Sequence, residues 1–402
     1  MPGRTLINLM LAALLELAGT SCTSVIDGHL LAAPAPKIDT GNFPTTPRKV
    51  VAGTSADAWV QEGWRMADGV AAPWAINSTL THEIPNSNNF PLVSWLQLNT
   101  SSDGYQQFAD DQINTLKGIP FLGGFLANAA DTADKPRRML SVGMLRFPDA
   151  PTAGRALDAL TPPDAPPPPI GFPKIDGAKV LNIVNSGRPA GLTVATLQGD
   201  LLLIAHTAGD SPTDVSDLAG KALTAQIAKT SDYHPTPYNG VPPLQVPMDP
   251  DGFVSRALPF TGAADPGLKP LGLTPGNMPN FGYHSPYAEA LSTPGEAAET
   301  MSDGAKYGTD LIFFNGNGFL YRERDAAAAA QNFAASSPKP PQSSIPITGL
   351  SDEVARCVDI KEKNKYLCGV HYGRYLAYFA DSSLTQLKMM TAAQYLILKN
   401  AG

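Results

Sequence analysis

The sequence predicts an α+β protein of two related domains, each with short antiparallel strands and helices, joined by a proline-rich linker. Three observations predict it. A chain of 402 residues exceeds what one hydrophobic core usually supports. Short strand-like runs sit apart from helical runs, which fits helices set against antiparallel strands. Finally, a series of motifs recurs in the same order in the two halves.

The clearest recurrence is a strand that ends at a capped helix. Met144-Leu145-Arg146-Phe147-Pro148-Asp149-Ala150 leads into a helix through Ala153, Ala156, Leu157 and Leu160. Phe319-Leu320-Tyr321-Arg322-Glu323-Arg324-Asp325-Ala326 leads into one through Ala329, Ala330 and Phe333. Asp149 and Asp325, 176 residues apart, are placed to accept from the free N–H groups of the first turn. A proline run follows each helix, at 162–173 and again at Pro338, Pro340, Pro341 and Pro346. Three strands come next in each half, over 180–184, 192–197 and 201–206, then 354–360, 366–371 and 375–379. Gly199-Asp200 and Gly373-Arg374 mark the tight turns before the last strand of each set. Each half closes with a helix, one carrying Ala225-Gln226-Ile227 and the other Ala393-Gln394-Tyr395.

Each half is expected to open with a helix, over 56–70 and 294–307, and then a strand, over 71–76 and 310–314. Asn315-Gly316-Asn317-Gly318 reads as a hairpin turn, because Asn and Gly tolerate positive φ. The first half instead holds an insertion over 77–138, with a helix expected at 105–116. Eleven prolines between 234 and 280 mark a stretch too long for an ordinary loop, read as a linker draped over the first domain. The division is therefore residues 1–21 as signal peptide, 22–54 as lipid-anchored tether, 55–233 and 281–402 as the domains, and 234–280 as linker.

The N-terminus sets the expected location. Arg4 precedes an apolar run over 6–17, which is too short to span a bilayer. Small residues follow it, ending at Cys22, which is the pattern of a signal peptide. Small residues before a cysteine resemble the bacterial lipobox, where that cysteine is acylated and becomes the new N-terminus. Gly19 stands where that pattern has an aliphatic residue, and an ordinary secretory signal is the alternative. Prolines 34, 36, 44 and 47 suit a spacer that holds the body off the membrane.

Three cysteines are an odd number for an exported chain. With Cys22 lipidated, Cys357 and Cys368 remain. The segment between them reads as strand, charged turn and strand, which folded at Glu362-Lys363 sets the two cysteines opposite each other at disulfide range. A metal site is the competing reading, but His371 alone is too few further ligands.

Recognisable chemistry is scarce. The sequence has no Gly-x-Ser-x-Gly elbow, phosphate loop or dinucleotide fingerprint. His29, His82, His206, His234, His284 and His371 are scattered and read as structural or solvated, and no cofactor is expected. Asp110-Asp111 invites a carboxylate-pair reading, but adjacent helical residues point about 100° apart. Tyr366, Tyr372, Tyr375, Tyr378 and Phe379 suit sheet packing or a ligand groove, and Trp59, Trp64 and Trp74 carry the same ambiguity. A formal charge of −7 argues against a nucleic-acid partner and against electrostatic attachment to anionic lipid.

Cys22-Thr23-Ser24-Val25-Ile26-Asp27-Gly28 resembles the mature start of many actinobacterial cell-envelope lipoproteins. The duplicated body, the Arg356-Cys357…Cys368 hairpin, Gly373-Arg374-Tyr375 and Ala393-Gln394-Tyr395 are similar to an uncharacterised group of them. The resemblance implies an outward-facing protein, attached to the membrane through its N-terminal lipid, and carries over no catalytic residue. The expected function is non-enzymatic binding of a small molecule, a lipid or glycan, or a protein, in a cleft between the domains. An envelope hydrolase with an unrecognised site and a pure scaffold are the alternatives.

Overall fold

The computed structural model describes residues 37–50, 55–84, 87, 89–98, 108, 110–169, 171–184, 190–241, 244–259, 282–314, 316, 318–336, 344–361 and 364–402. It also places a short antiparallel pair, β1 (Ser24–Ile26) with β2 (His29–Leu31). Cys22 lies outside the described residues.

The first half comprises α1 (Ser55–Ala67), α2 (Pro73–Ile76), β3 (Pro91–Leu92), α3 (Asp110–Thr115), β4 (Gly123–Ala130), β5 (Arg138–Arg146), α4 (Ala150–Leu160), β6 (Lys179–Val184), β7 (Ala190–Gln198), β8 (Leu201–Gly209) and α5 (Pro212–Lys229). Its strands form one antiparallel sheet in the order β3-β4-β5-β8-β7-β6. The second half comprises β9 (Gly282–His284), α6 (Pro286–Ser292), α7 (Ala297–Tyr307), β10 (Leu311–Phe314), β11 (Gly318–Arg322), α8 (Ala326–Ala335), β12 (Ile345–Pro346), β13 (Ala355–Ile360), β14 (Lys365–Tyr372), β15 (Tyr375–Asp381) and α9 (Leu384–Asn400). Its sheet, read from β9, runs β9-β10-β11-β15-β14-β13-β12. Both domains are α+β, and the strand order is the same in each, with β12 added at one edge.

The pairing agrees residue by residue. Arg146 lies opposite Leu201, and Arg322 opposite Tyr375. Asp149 caps α4 by accepting from the Thr152 N–H, and Asp325 caps α8 by accepting from Ala328 N–H. Gly199 and Gly373 both take positive φ in the two-residue turns before β8 and β15, a conformation open to glycine because it lacks Cβ. The strongest match is the glutamine bracket of the closing helices. Gln226 on α5 accepts from Ala71 N–H at 3.0 Å and donates to Gly69 O at 2.9 Å. Gln394 on α9 accepts from Leu258 N–H at 2.7 Å and donates to Arg256 O at 2.7 Å. Each buried amide therefore holds one loop segment by satisfying two main-chain groups that water cannot reach.

That bracket changes two sequence expectations. Through Gly69 and Ala71, α1 corresponds to the segment before Leu258, and not to residues 294–307. Residues 250–258, inside the proline-rich stretch, accordingly place Phe253, Val254, Ala257 and Leu258 in the α9 core. Residues 71–76 are not a strand: Pro73 starts α2 after extended Ala72, as its fixed φ suits a first helical turn. The strand that matches β10 is β4, inside the 77–138 insertion. Its sequence, Gly-Gly-Phe-Leu-Ala-Asn-Ala-Ala, is buried along its whole length and so shows no alternation.

Cys357 and Cys368 are paired opposite each other on β13 and β14, fully buried and disulfide-bonded. Part of the expected tether is also structured. Ile38, Phe43 and Val50 pack on the second core, Arg48 N–H donates to Ser255 O, and Asn400 donates to Thr45 O. Residues 37–50 thus lie on the α9 side of the second domain.

Candidate functional site

The two domains meet along α1. Gln61 brackets Tyr283 on β9, donating to its carbonyl at 2.7 Å and accepting from its N–H at 3.2 Å. Trp64 stacks on His284 with centroids 4.2 Å apart, and Tyr287 donates to Val70 O at 2.6 Å. The Ser285 hydroxyl donates to Asp68, whose carboxyl is pushed above the ordinary range by burial. Ala288 and Leu291 of α6 join the first domain's core. The seam is packed at these residues, and four cavities lined by described residues each belong to a single domain.

The cavity with the most specific chemistry lies in the second domain, between the sheet and α7 and α8. Its volume is about 260 Å³. Strand alternation puts Phe319 and Tyr321 of β11 and Tyr378 of β15 on this face, away from α9. Phe319 and Tyr321 have centroids 6.0 Å apart, and Tyr321 meets Tyr378 edge-on at 6.2 Å. The Tyr378 hydroxyl is buried with no partner in hydrogen-bond geometry among the described residues, and burial pushes its pKa up to about 12 against the opposing effect of nearby Ser336. Burial raises Tyr321 further still, so both phenols are neutral.

The opposite wall is acidic. Glu296, Glu299 and Asp303 recur at helical spacing along α7 and share one face with Thr300. Glu289 of α6 adds a fourth carboxylate and holds His284 Nε2 at 2.6 Å. Thr309 and Asn332 also line the cavity, and both donate to Glu323, at 2.6 and 2.8 Å. Glu323 is fully buried, and burial lifts its pKa although both hydrogen bonds oppose that. A carboxyl under the floor thus fixes two polar wall residues.

Of the aromatic residues singled out in the sequence, Tyr378 reaches this cavity. Tyr366, Tyr372, Tyr375 and Phe379 are associated with the α9 core on the other face. Trp64 belongs to the seam, and Trp59 and Trp74 pack at the edges of the first domain's clusters. Among the histidines, His371 contacts Glu353 O and the Phe333 ring, His82 bridges Ala130 through its backbone, and His234 accepts from Arg65 through its carbonyl. Asp111 accepts from Gln112 N–H and lines an open cavity beside α4 and β6.

His206 sits in a buried polar row across the first sheet, with Asn128, Ser141 and Thr193. Its Nδ1 is 2.8 Å from the Thr193 hydroxyl, and burial pulls its pKa down to about 3, so the ring is neutral. None of the four cavities reaches the row. Sequence reasoning missed Phe319, Tyr321 and the α7 carboxylates as a group. The alternation of 319 and 321 and the spacing of 296, 299 and 303 were visible; that the two faces oppose each other was not.

Among known proteins, the model of the N-terminal part of the domain of unknown function DUF7373 matches residues 50–246, and that of its C-terminal part matches residues 272–401. The chain belongs to the DUF7373 family. No curated protein matches it. The extracellular domain of PknH from Mycobacterium tuberculosis aligns at 8% identity with a TM-score of 0.25, covering 42% of this chain and 96% of that one. Likeness at that level carries no argument about this DUF7373 chain. Among its described residues, no helix is long and apolar enough to cross a membrane, and no group of three or more His, Cys, Asp and Glu side chains is placed to hold a metal ion.

Proposed function

We propose that this chain is an exported actinobacterial envelope lipoprotein, anchored through Cys22, that binds a small molecule in the cavity beneath α7 without transforming it. The observation that carries the binding reading is the cavity itself: an aromatic floor, a Tyr378 hydroxyl buried beside Ser336, and wall residues held by Glu323. Convergent polar groups on an aromatic surface are what a small-molecule site requires. A volume of about 260 Å³ suits a compact ligand or one end of a larger one.

The hydrolase alternative draws on the Glu289–His284 pair at the cavity's edge. It needs a nucleophile there. The neighbouring Ser285 hydroxyl is committed, donating to Asp68 and accepting from Ala288 N–H. That commitment favours binding over catalysis.

Anchoring at Cys22 leaves residues 23–36 as the spacer, because 37–50 already lie along the second domain. Native mass spectrometry of the full chain purified from envelope extract tests the binding. A bound small molecule is expected, and Thr300→Trp, which fills the cavity from α7, is expected to abolish it. Retention of the ligand by a folded Thr300→Trp chain places binding elsewhere. Mass spectrometry of the mature N-terminus tests the anchor, and an unmodified Cys22 removes it.

A further inference from the structure

We infer that the cavity selects an organic cation, an ammonium group borne on a small molecule; this rests on the reading of the cavity as a binding site. Four carboxylates, of Glu289, Glu296, Glu299 and Asp303, line one space, and among the described residues neither Lys nor Arg lines it. Glu296, Glu299 and Asp303 make no ion pair with another described residue within 4.0 Å. Two cations stand at its margin: Lys306 lies over the Tyr307 ring at 4.7 Å and within electrostatic range of Asp303, and Arg356 covers the Phe333 ring at 4.0 Å, donates to Phe333 O and acts electrostatically on Tyr378.

Carboxylates in general attract a metal ion as well as an amine, but these four are not grouped closely enough to hold a metal ion. The aromatic floor points the same way. Phe319, Tyr321 and Tyr378 offer π faces and edges to a ligand that carries both hydrocarbon and charge, and an ammonium over such a face gains from the ring quadrupole. An anion is repelled by four like charges, and a neutral sugar stacks on the floor but leaves the carboxylates unmatched.

The arrangement also divides the labour. The exposed α7 carboxylates attract the cation at range and lose strength with salt, whereas the floor acts at contact and does not. Affinity is therefore expected to fall with ionic strength but to keep a salt-independent residue.

The test uses the full chain with isotope-labelled tyrosine, titrated by NMR with choline and cadaverine, the uncharged carbon isostere of choline, a neutral disaccharide and acetate. The ammonium compounds are expected to shift the Tyr321 and Tyr378 ring signals saturably, with the isostere weaker by about tenfold or more. The combined variant Glu296→Gln, Glu299→Gln, Asp303→Asn is expected to weaken choline by about tenfold and flatten the salt dependence, with an unchanged fold because these side chains are not buried. If the isostere or the disaccharide binds as tightly as choline, the cation assignment falls and the binding site stands. If no probe moves the Tyr321 or Tyr378 signals, both fall.

Discussion

The two domains share a strand order and a register, yet the same face of the sheet is a filled core in the first and a cavity in the second. In the first, Leu145 and Ile204 occupy the positions that Tyr321 and Tyr378 hold in the second, and Gly143 stands where Phe319 does. Phe108, Ile113, Leu116, Phe147 and Leu157 pack down onto that first face, and all are buried. A Cβ on Gly143 would lie 2.0 Å from Phe125 O, so even a methyl has no room there. In the second domain, α7 buries Ala297 and Tyr307 and turns Glu296, Glu299, Thr300 and Asp303 to the space in between. Carboxylates cannot be buried without partners, so the helix stays off the sheet and the space remains open. One topology thus yields a dry core or a ligand-sized void according to a few residues on one helix.

Buried carboxylates sharpen the contrast most. Glu62 in the first domain is fully buried against Arg146 at 2.5 Å, with Arg65, Tyr233 and Thr236 also on it. Burial opposes its charge, but the Thr236 and Tyr233 hydrogen bonds and Arg65 hold its pKa below the usual carboxylate range. Glu62→Ala leaves Arg146 buried with less compensation and is expected to cost about 3–5 kcal/mol by chemical denaturation. Glu323→Ala, whose side-chain partners are neutral, is expected to cost about 1–3 kcal/mol. Equal losses would break the distinction.

His206 gives the first domain a pH dependence. Its pKa is about 3 in the folded chain against 6.5 ordinarily, so the unfolded chain binds the extra proton between those values. Stability is therefore present above pH 6.5 and falls as pH drops toward 3, by a few kcal/mol in all. His206→Asn is expected to flatten that slope in denaturation curves measured between pH 7 and pH 4, about the range that brackets most of the transition. An unchanged slope assigns the loss to other groups.

The glutamine brackets test the likeness instead of the difference. Gln226→Ala and Gln394→Ala each free two buried main-chain groups and are expected to cost similar amounts, about 1–3 kcal/mol. A large asymmetry would mean the two closing helices are not equivalent. The smallest effect is expected for Thr300→Leu, which adds apolar volume to the cavity: a gain below about 1 kcal/mol in thermal unfolding, with loss of ligand.

Much of this was legible in the chain. The Asp149 and Asp325 caps, the Gly199 and Gly373 turns, and the three strands after each proline run are local: each depends on residues within one or two turns, so sequence pattern reveals them. The Gln226 and Gln394 pair was visible as a recurrence but not as a function, because its partners lie more than 130 residues away. β4 was hidden because burial on both faces erases alternation.

The sequence by itself determined that the chain is α+β, that it is doubled, and where its caps and turns fall. Those features follow from backbone sterics and periodicity, which act over a few residues. Only the tertiary structure decided that Tyr321 and Tyr378 face the carboxylates of α7, that α6 completes the core of the other domain, and that residues 37–50 lie along α9. Each of these depends on which surfaces exclude water from one another, and that is settled by the packing of distant segments, not by their local sequence.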